Sequence, residues 1–199
     1  HEKKEYENIL LFYFSRILRI FPLYWLLAML SMFIHIWSLS FSSGQFFNVY
    51  QEVGLTGSTL LILSNFLILG QDLVMFTGVS DGAFGLTSDF SQSDTLVYAG
   101  LLVPQAWSLS LELTFYLLAP FILKNRKMLL LLLFASLLTR VLLIYVGLGT
   151  EDPFSYRFFP AELSLFILGA LSHQIINPFY ARHKIINNRA ISLVTIVSI

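Results

Sequence analysis

Cysteine is absent from the 199 residues of the chain, and charged residues are scarce. The lack of cysteine excludes disulfide bonds and thiolate metal sites. Charged side chains make up 12% of the residues, which is about half the fraction found in an average soluble domain. The formal net charge is zero at pH 7, so we expect no nucleic-acid partner.

What the chain has in abundance is apolar sequence, with 56% hydrophobic residues and a mean hydropathy of +0.74. A water-soluble core of this length has no room for so much apolar surface. Because about 20 apolar residues cross the hydrocarbon layer, the composition predicts an all-α, polytopic transmembrane helix bundle of about five to six spans. The candidate spans are Ile20–Trp37, Leu55–Leu69, Pro104–Leu123, Met128–Leu148 and Pro160–Ile176, with a further one opening after Arg189.

The two ends of the sequence predict that it is an internal piece of a longer protein. The first residue is not Met, the opening HEKKEYEN has no signal-peptide character, and the last ten residues are apolar and stop abruptly. Residues 1–199 are therefore interpreted as part of one membrane domain.

The distribution of basic residues predicts an orientation. Lys and Arg cluster at 3–4, 16–19, 124–127 and 182–189, whereas residues 41–103 contain acidic residues and neither Lys nor Arg. The positive-inside rule places the basic clusters in the cytoplasm and residues 41–103 outside, as in a multi-pass protein of the plasma (inner) membrane. The segment 55–69 then has no room for a full crossing, so either it is re-entrant or the rule fails at one loop.

Glu112 is an acidic residue within an apolar run, WSLSLELTFYLLAP at 107–120. A carboxylate at bilayer depth costs about 2.5–3.5 kcal/mol. On a helix Gln105, Ser108, Glu112 and Tyr116 share one face. This polar face predicts either a lined reaction site or a structural hydrogen-bond network between helices.

Further ionisable residues lie in the last two predicted spans. Counted outward from the short turn at 124–127, Glu112 and Arg140 fall at nearly the same depth, which predicts an ion pair between them across a helical hairpin. Alternatively, Arg140 snorkels to the outer interface. Glu162 shares a helix face with Phe166, Gly169 and His173 in the last complete span. It is expected either to line the site or, more simply, to form an interfacial ion pair with Arg157.

Arg16 and Arg19 are spaced three residues apart in FYFSRILRIFPLYWL, just before the first predicted span. They are interpreted either as topology anchors or as an anion site, because guanidinium groups match phosphate oxygens in a bidentate way. Pro22 is expected at a helix start or kink.

Three segments together resemble the acyltransferase 3 family of integral membrane acyltransferases. SRILRIFPLYW (15–25) is similar to its Arg-x-x-Arg-Ile-x-Pro-x-Tyr element, and WSLSLELTFYLLAP is similar to its Trp-Ser-Leu-Ser-Val-Glu-x-x-Phe-Tyr helix, with Leu111 in place of Val. RFFPAELSLFILGAL (157–171) resembles a later segment that ends in Phe-x-x-Gly. The resemblance covers essentially the whole chain.

The resemblance implies transfer of an acyl group, typically acetyl from acyl-CoA, to a hydroxyl of a carbohydrate or another extracytoplasmic acceptor. It implies no metal and no permanently bound cofactor, since acyl-CoA is a substrate. Arg16 and Arg19 would then hold the donor phosphates, and Glu112 would orient a catalytic histidine or structure the site. The expected site-lining residues are Ser108, Tyr116, Arg140 and Glu162.

The family's catalytic histidine lies in the first of two spans that precede the Arg-x-x-Arg element, and the family has about ten spans. None of His1, His35, His173 and His183 occupies a matching position. The resemblance therefore implies that this fragment, without those two spans and the C-terminal ones, is inactive alone. Two other interpretations remain open: a fragment of a transporter or flippase that uses the polar face as a substrate path, and a truncated product without activity.

Overall fold

The computed structural model describes residues 9–38 and 45–183, with side-chain surroundings as far as Gln174. The span predicted after Arg189 lies outside these residues. The helices are α1 (Ile9–Ser38), α2 (Gln45–Glu52), α3 (Gly54–Leu67), α4 (Gln71–Val74), α5 (Trp107–Ile122), α6 (Arg126–Tyr145) and α7 (Phe159–His183). Two strands, β1 (Thr77–Ser80) and β2 (Ala83–Leu86), and three single 3₁₀ turns (Phe90–Gln92, Val97–Gly100 and Pro104–Ala106) connect α4 to α5.

The number of membrane spans predicted from the sequence is wrong. Within the described residues, two helices are long and apolar enough to cross a membrane, namely Ile9–Trp37 and Arg126–Tyr145. The predicted span at 104–123 forms a helix of 16 residues, roughly 24 Å long, because a 3₁₀ turn occupies its first residues. The predicted span at 55–69 forms a helix of 14 residues, roughly 21 Å long. The described part of α7 does not qualify either.

The all-α prediction is also wrong between α4 and α5, where β1 and β2 form an antiparallel hairpin. Its turn is Asp81–Gly82, and both residues have positive φ, 53° and 72°. An Asp-Gly turn of this conformation matches the twist of two antiparallel strands. The dipeptide was a sequence signal for a hairpin within an otherwise helical chain.

Helix α1 begins at Ile9, well before the predicted span. Arg16 and Arg19 therefore lie within α1 and do not precede it. Pro22 lies in the helix interior and does not start it. Its ring nitrogen has no hydrogen to donate, so one carbonyl of the preceding turn loses its usual backbone partner.

Buried residues form three apolar clusters, one at each end of the molecule and one between them. One cluster joins α1, α5, α6 and α7; its members are Phe12, Phe115, Ala119, Ile122, Leu129, Leu163 and Ile167. A second joins α2, α3, α4 and β1 around Val49, Leu61, Val74 and Val79. The third lies between them and contains Ile20, Tyr24, Ala28, Ile68, Ala106 and Leu113. Together they place α5 at the centre of the fold.

The two candidate spans expose most of their apolar side chains. Only 17% of the apolar window of α1 and 11% of that of α6 is buried, whereas a core helix of a soluble protein is mostly buried. Leu131 and Phe134 on α6, for example, are 66% and 70% exposed. Such surfaces match a lipid environment, so these two helices can cross a membrane.

Candidate functional site

The structure brings together two of the three sequence segments described above. The guanidinium carbon of Arg16 on α1 lies 5.0 Å from the ring centroid of Tyr116 on α5 and 5.2 Å from that of Phe12. The hydroxyl of Tyr116 donates a hydrogen bond to the carboxylate of Glu112, one turn earlier on the same helix. We call these four residues, Phe12, Arg16, Glu112 and Tyr116, the Arg16 cluster.

Helical spacing produces each half of the Arg16 cluster. Residues four apart lie above one another on a helix, so Phe12 stacks below Arg16 and Tyr116 reaches back to Glu112. The rings of Phe12 and Tyr116 meet edge to face at 6.1 Å, a favoured aromatic geometry. Their contact holds the cation of α1 beside the carboxylate-bearing face of α5.

The Arg16 cluster contains an unused hydrogen-bond donor. The Nε atom of Arg16 is buried and has no hydrogen-bond partner. A buried unpaired donor costs free energy comparable with a lost hydrogen bond. Arg19, one turn further along α1, is exposed, and its charge also acts on the Tyr116 hydroxyl. The two guanidinium groups together form a cationic end of the site. An anionic oxygen bound there would accept a hydrogen bond from the unpaired Arg16 Nε.

Ser108 does not join the Arg16 cluster. Its hydroxyl donates to the carbonyl of Gln105 in the preceding turn at 3.4 Å, and the side chain is exposed. Ser108 and Glu112 share a helix face, but the Ser108 hydroxyl bonds to the backbone of the preceding turn and not to the Glu112 carboxylate.

The predicted ion pair between Glu112 and Arg140 is wrong. Arg140 Nη2 instead donates to Glu162 Oε1 on α7 at 2.7 Å and to the carbonyl of Ala161 at 3.3 Å. Counting residues from a turn predicts the depth of a side chain but not its direction around the helix axis. Arg140 faces α7, so Arg140 and Glu162 form a pair apart from the Arg16 cluster.

The simpler interpretation of Glu162, an ion pair with Arg157, is likewise wrong. Arg157 pairs with Asp152, and the Nε–Oδ1 distance is 2.7 Å. Asp152 and Glu162 are each five positions from Arg157, but Asp152 lies with Arg157 in the loop between α6 and α7, whereas Glu162 is already within α7. The carboxylate of the same loop pairs with the guanidinium.

A buried polar network that sequence reasoning missed ties α1, α4 and α5 together. Ser110 Oγ donates to Asp72 Oδ1 at 2.6 Å and accepts from the backbone N–H of Gly70 at 2.9 Å. Gln71 Nε2 donates to the hydroxyl of Tyr24 at 2.9 Å. Burial raises the pKa of the Asp72 carboxyl above its ordinary value, although the hydrogen bond from Ser110 opposes the rise. The only sequence signal was the presence of polar residues in apolar surroundings.

The described residues contain no group of three or more His, Asp or Glu side chains arranged to hold a metal ion. No family model matches the sequence, no curated protein matches it, and no solved structure matches its fold.

Proposed function

We propose that the chain is part of a membrane-bound acyltransferase, which moves an acyl group, most simply acetyl, from acyl-CoA to a hydroxyl of a carbohydrate or another extracytoplasmic acceptor. The observation that carries the proposal is the contact between Arg16 and Tyr116. It unites the two motif-like segments of the sequence, which are far apart along the chain. It also gives a cation, a carboxylate and an unpaired donor at one place.

The donor end of the proposed site is the pair Arg16 and Arg19. Coenzyme A carries phosphate groups, and arginine binds phosphate through charged hydrogen bonds that are stronger than neutral ones. The buried, unpartnered Nε of Arg16 offers one such donor, and the exposed Arg19 adds a second positive charge. A phosphate oxygen there would remove the cost of an unsatisfied donor in the free protein.

Glu112 is proposed as a positioning residue. In the transfer step a base takes the proton of the acceptor hydroxyl and its oxygen attacks the thioester carbonyl. The carbon–sulfur bond then breaks, and CoA leaves with a proton on its sulfur. A carboxylate can orient an imidazole base and stabilise its charged form. The hydrogen bond from Tyr116 fixes the position of the Glu112 carboxylate for this role.

The proposed location is the plasma (inner) membrane, in a multi-pass protein. Two helices that can cross a membrane support it, as does the clustering of basic residues at the Arg16 end. In this arrangement the cationic end faces the cytoplasm, where acyl-CoA is found.

The test separates donor binding from turnover. Binding of acetyl-CoA to the chain in lipid nanodiscs should weaken about tenfold or more in Arg16→Gln, because a charged hydrogen bond is worth about 1.5–3 kcal/mol. Arg126→Gln, a change at an exposed residue of α6, is the matched control and should bind as the parent does.

In the complete open reading frame, acetyl-CoA-dependent transfer to glycans is followed by the release of free CoA. Glu112→Gln should lower kcat about a hundredfold or more while leaving acetyl-CoA binding intact, and the exposed Glu151→Gln is its control. Absence of acetyl-CoA binding would overturn the proposal, as would unchanged turnover in Glu112→Gln. Movement of solute without CoA consumption would favour a transporter.

A further inference from the structure

A cavity of about 240 Å³ opens at the start of α5, nine residues before Tyr116 on that helix. Aromatic side chains of Phe90, Tyr98 and Trp107 line it together with Gln105 and Arg157. Cavities that hold drug-sized ligands are about 300–1,000 Å³, so this one suits a smaller, single-ring ligand. Its walls combine flat apolar faces with a few polar groups, which is how ligand sites obtain both affinity and orientation.

Arg157 is the strongest polar feature of this cavity. Its Nε and Nη2 atoms donate to the two carboxylate oxygens of Asp152 at 2.7 and 3.1 Å. Its guanidinium carbon lies 4.6 Å from the ring centroid of Trp107 and 4.9 Å from that of Tyr156. The remaining nitrogen, Nη1, is buried and has no hydrogen-bond partner. The side chain is therefore fixed on two sides, lines the cavity and leaves the N–H groups of Nη1 unsatisfied.

We propose that this cavity binds one ring of a neutral carbohydrate. The carbon–hydrogen faces of a sugar are apolar and pack on aromatic rings, while its hydroxyl oxygens accept hydrogen bonds. Trp107 and Tyr98 provide the rings, and Arg157 Nη1 provides the unused donor. Because Asp152 already offsets the charge of Arg157, the site favours a neutral hydroxyl over a carboxylate or phosphate.

The cavity and the Arg16 cluster lie on the same helix. Trp107 and Tyr116 are nine positions apart, which on a helix is roughly 13.5 Å. The cavity thus has the position expected of an acceptor subsite separated from the donor cations. The identification of the bound sugar as the acyl acceptor rests on the proposed function. The proposal that the cavity binds a sugar does not rest on it.

The test is direct binding without any acyl donor. The chain in nanodiscs is applied to an array of neutral and anionic glycans. We expect binding to neutral glycans, weakened about tenfold by Trp107→Ala, since an aromatic contact contributes up to about 1.5 kcal/mol. Trp37→Ala, which changes a tryptophan on α1 that is 64% exposed and does not line the cavity, is the control. Arg157→Lys keeps a positive charge beside Asp152 but removes Nη1, and it should weaken binding as well.

Each result decides the matter. No glycan binding, binding to anionic glycans alone, or equal losses in the Trp107 and Trp37 variants would overturn the proposal. Should a variant fail to fold, the loss of binding in Arg157→Lys with a retained melting temperature decides instead. Glycan binding without acyl transfer would leave this inference standing and remove the proposed function. Acyl transfer with an unchanged acceptor KM in Trp107→Ala would do the reverse.

Discussion

The ion pair between Arg140 and Glu162 joins α6 to α7 through two partly buried side chains. Glu162 keeps only 12% of its side-chain surface exposed, against 36% for Arg140. The same guanidinium also donates to the backbone of α7. Removing Arg140 would leave a largely buried carboxylate without its partner, which costs more than the pair itself contributes.

We predict that Arg140→Ala lowers the free energy of unfolding by about 2 kcal/mol, the cost typical of a buried charged group that loses its hydrogen bond. Thermal unfolding of the chain in detergent measures the change. In a double-mutant cycle Arg140 should couple to Glu162, and the swap of the two charges should recover part of the loss. Coupling of Arg140 to Glu112 instead would contradict the observed pairing.

At the scale of elements, one amide side chain anchors α3 to the chain that precedes α5. Asn65 Nδ2 donates to the hydroxyl of Tyr50 at 3.0 Å and to the carbonyl of Gly100 at 2.9 Å. Its Oδ1 accepts from the backbone N–H of Leu102 at 2.7 Å. The backbone carbonyl of Asn65 accepts from the hydroxyl of Tyr24 at 2.8 Å. Helix α3 is therefore tied on one side to α1 and on the other to an irregular segment.

Asn65→Ala should destabilise the protein by about 1–3 kcal/mol, because the backbone N–H of Leu102 loses its partner, whereas the carbonyl of Gly100 keeps the hydrogen bond from the Tyr50 hydroxyl. The melting temperature in detergent should fall, and the amide of Leu102 should exchange its hydrogen faster. Thr59→Ala is the control, since that exposed hydroxyl bonds only within its own helix and its loss should change little. Equal effects of the two substitutions would show that Asn65 anchors nothing.

Apolar runs predict the positions of the helices better than they predict the lengths of the helices and their side-chain partners. The run at 128–148 forms α6 with nearly the predicted bounds, because an uninterrupted Leu-rich sequence favours a helix. The helix predicted at 104–123 is shorter than expected because a 3₁₀ turn occupies Pro104–Ala106. Helix α3 ends in the polar contacts of Asn65, which a hydropathy pattern does not predict. The partners of Arg140 and Arg157 depend on rotation and loop geometry, which residue spacing does not specify. The meeting of Arg16 with Tyr116 is a long-range contact, which no local pattern predicts.

For the molecule as a whole, side-chain contacts place the basic residues of α1 and those of the turn between α5 and α6 at one end. The hydroxyl of Tyr13 donates to the carbonyl of Leu117 at 3.0 Å, so the start of α1 lies beside the last turns of α5. Gln174 donates to the carbonyl of Leu123 at 3.1 Å, which brings the later part of α7 to the same end. The basic turn at 124–127 follows directly. The hairpin and the aromatic cavity lie towards the other end of α5.

This arrangement predicts that the two ends of α1, which is long enough to cross a membrane, face opposite sides of it, with the basic turn on the cytoplasmic side. Because the chain has no cysteine, single substitutions can be labelled without background. In intact cells a membrane-impermeant maleimide should label Ser88→Cys, in the exposed segment after β2. It should label Lys124→Cys only after the membrane is permeabilised.

Labelling of both positions in intact cells would place the cationic end outside, away from cytoplasmic acyl-CoA, and would remove the basis for assigning Arg16 to the donor. The opposite charge of the two surfaces favours the first outcome, since residues 41–103 carry acidic groups and lack Lys and Arg, whereas the turn at 124–127 carries three cations that resist transfer across the bilayer.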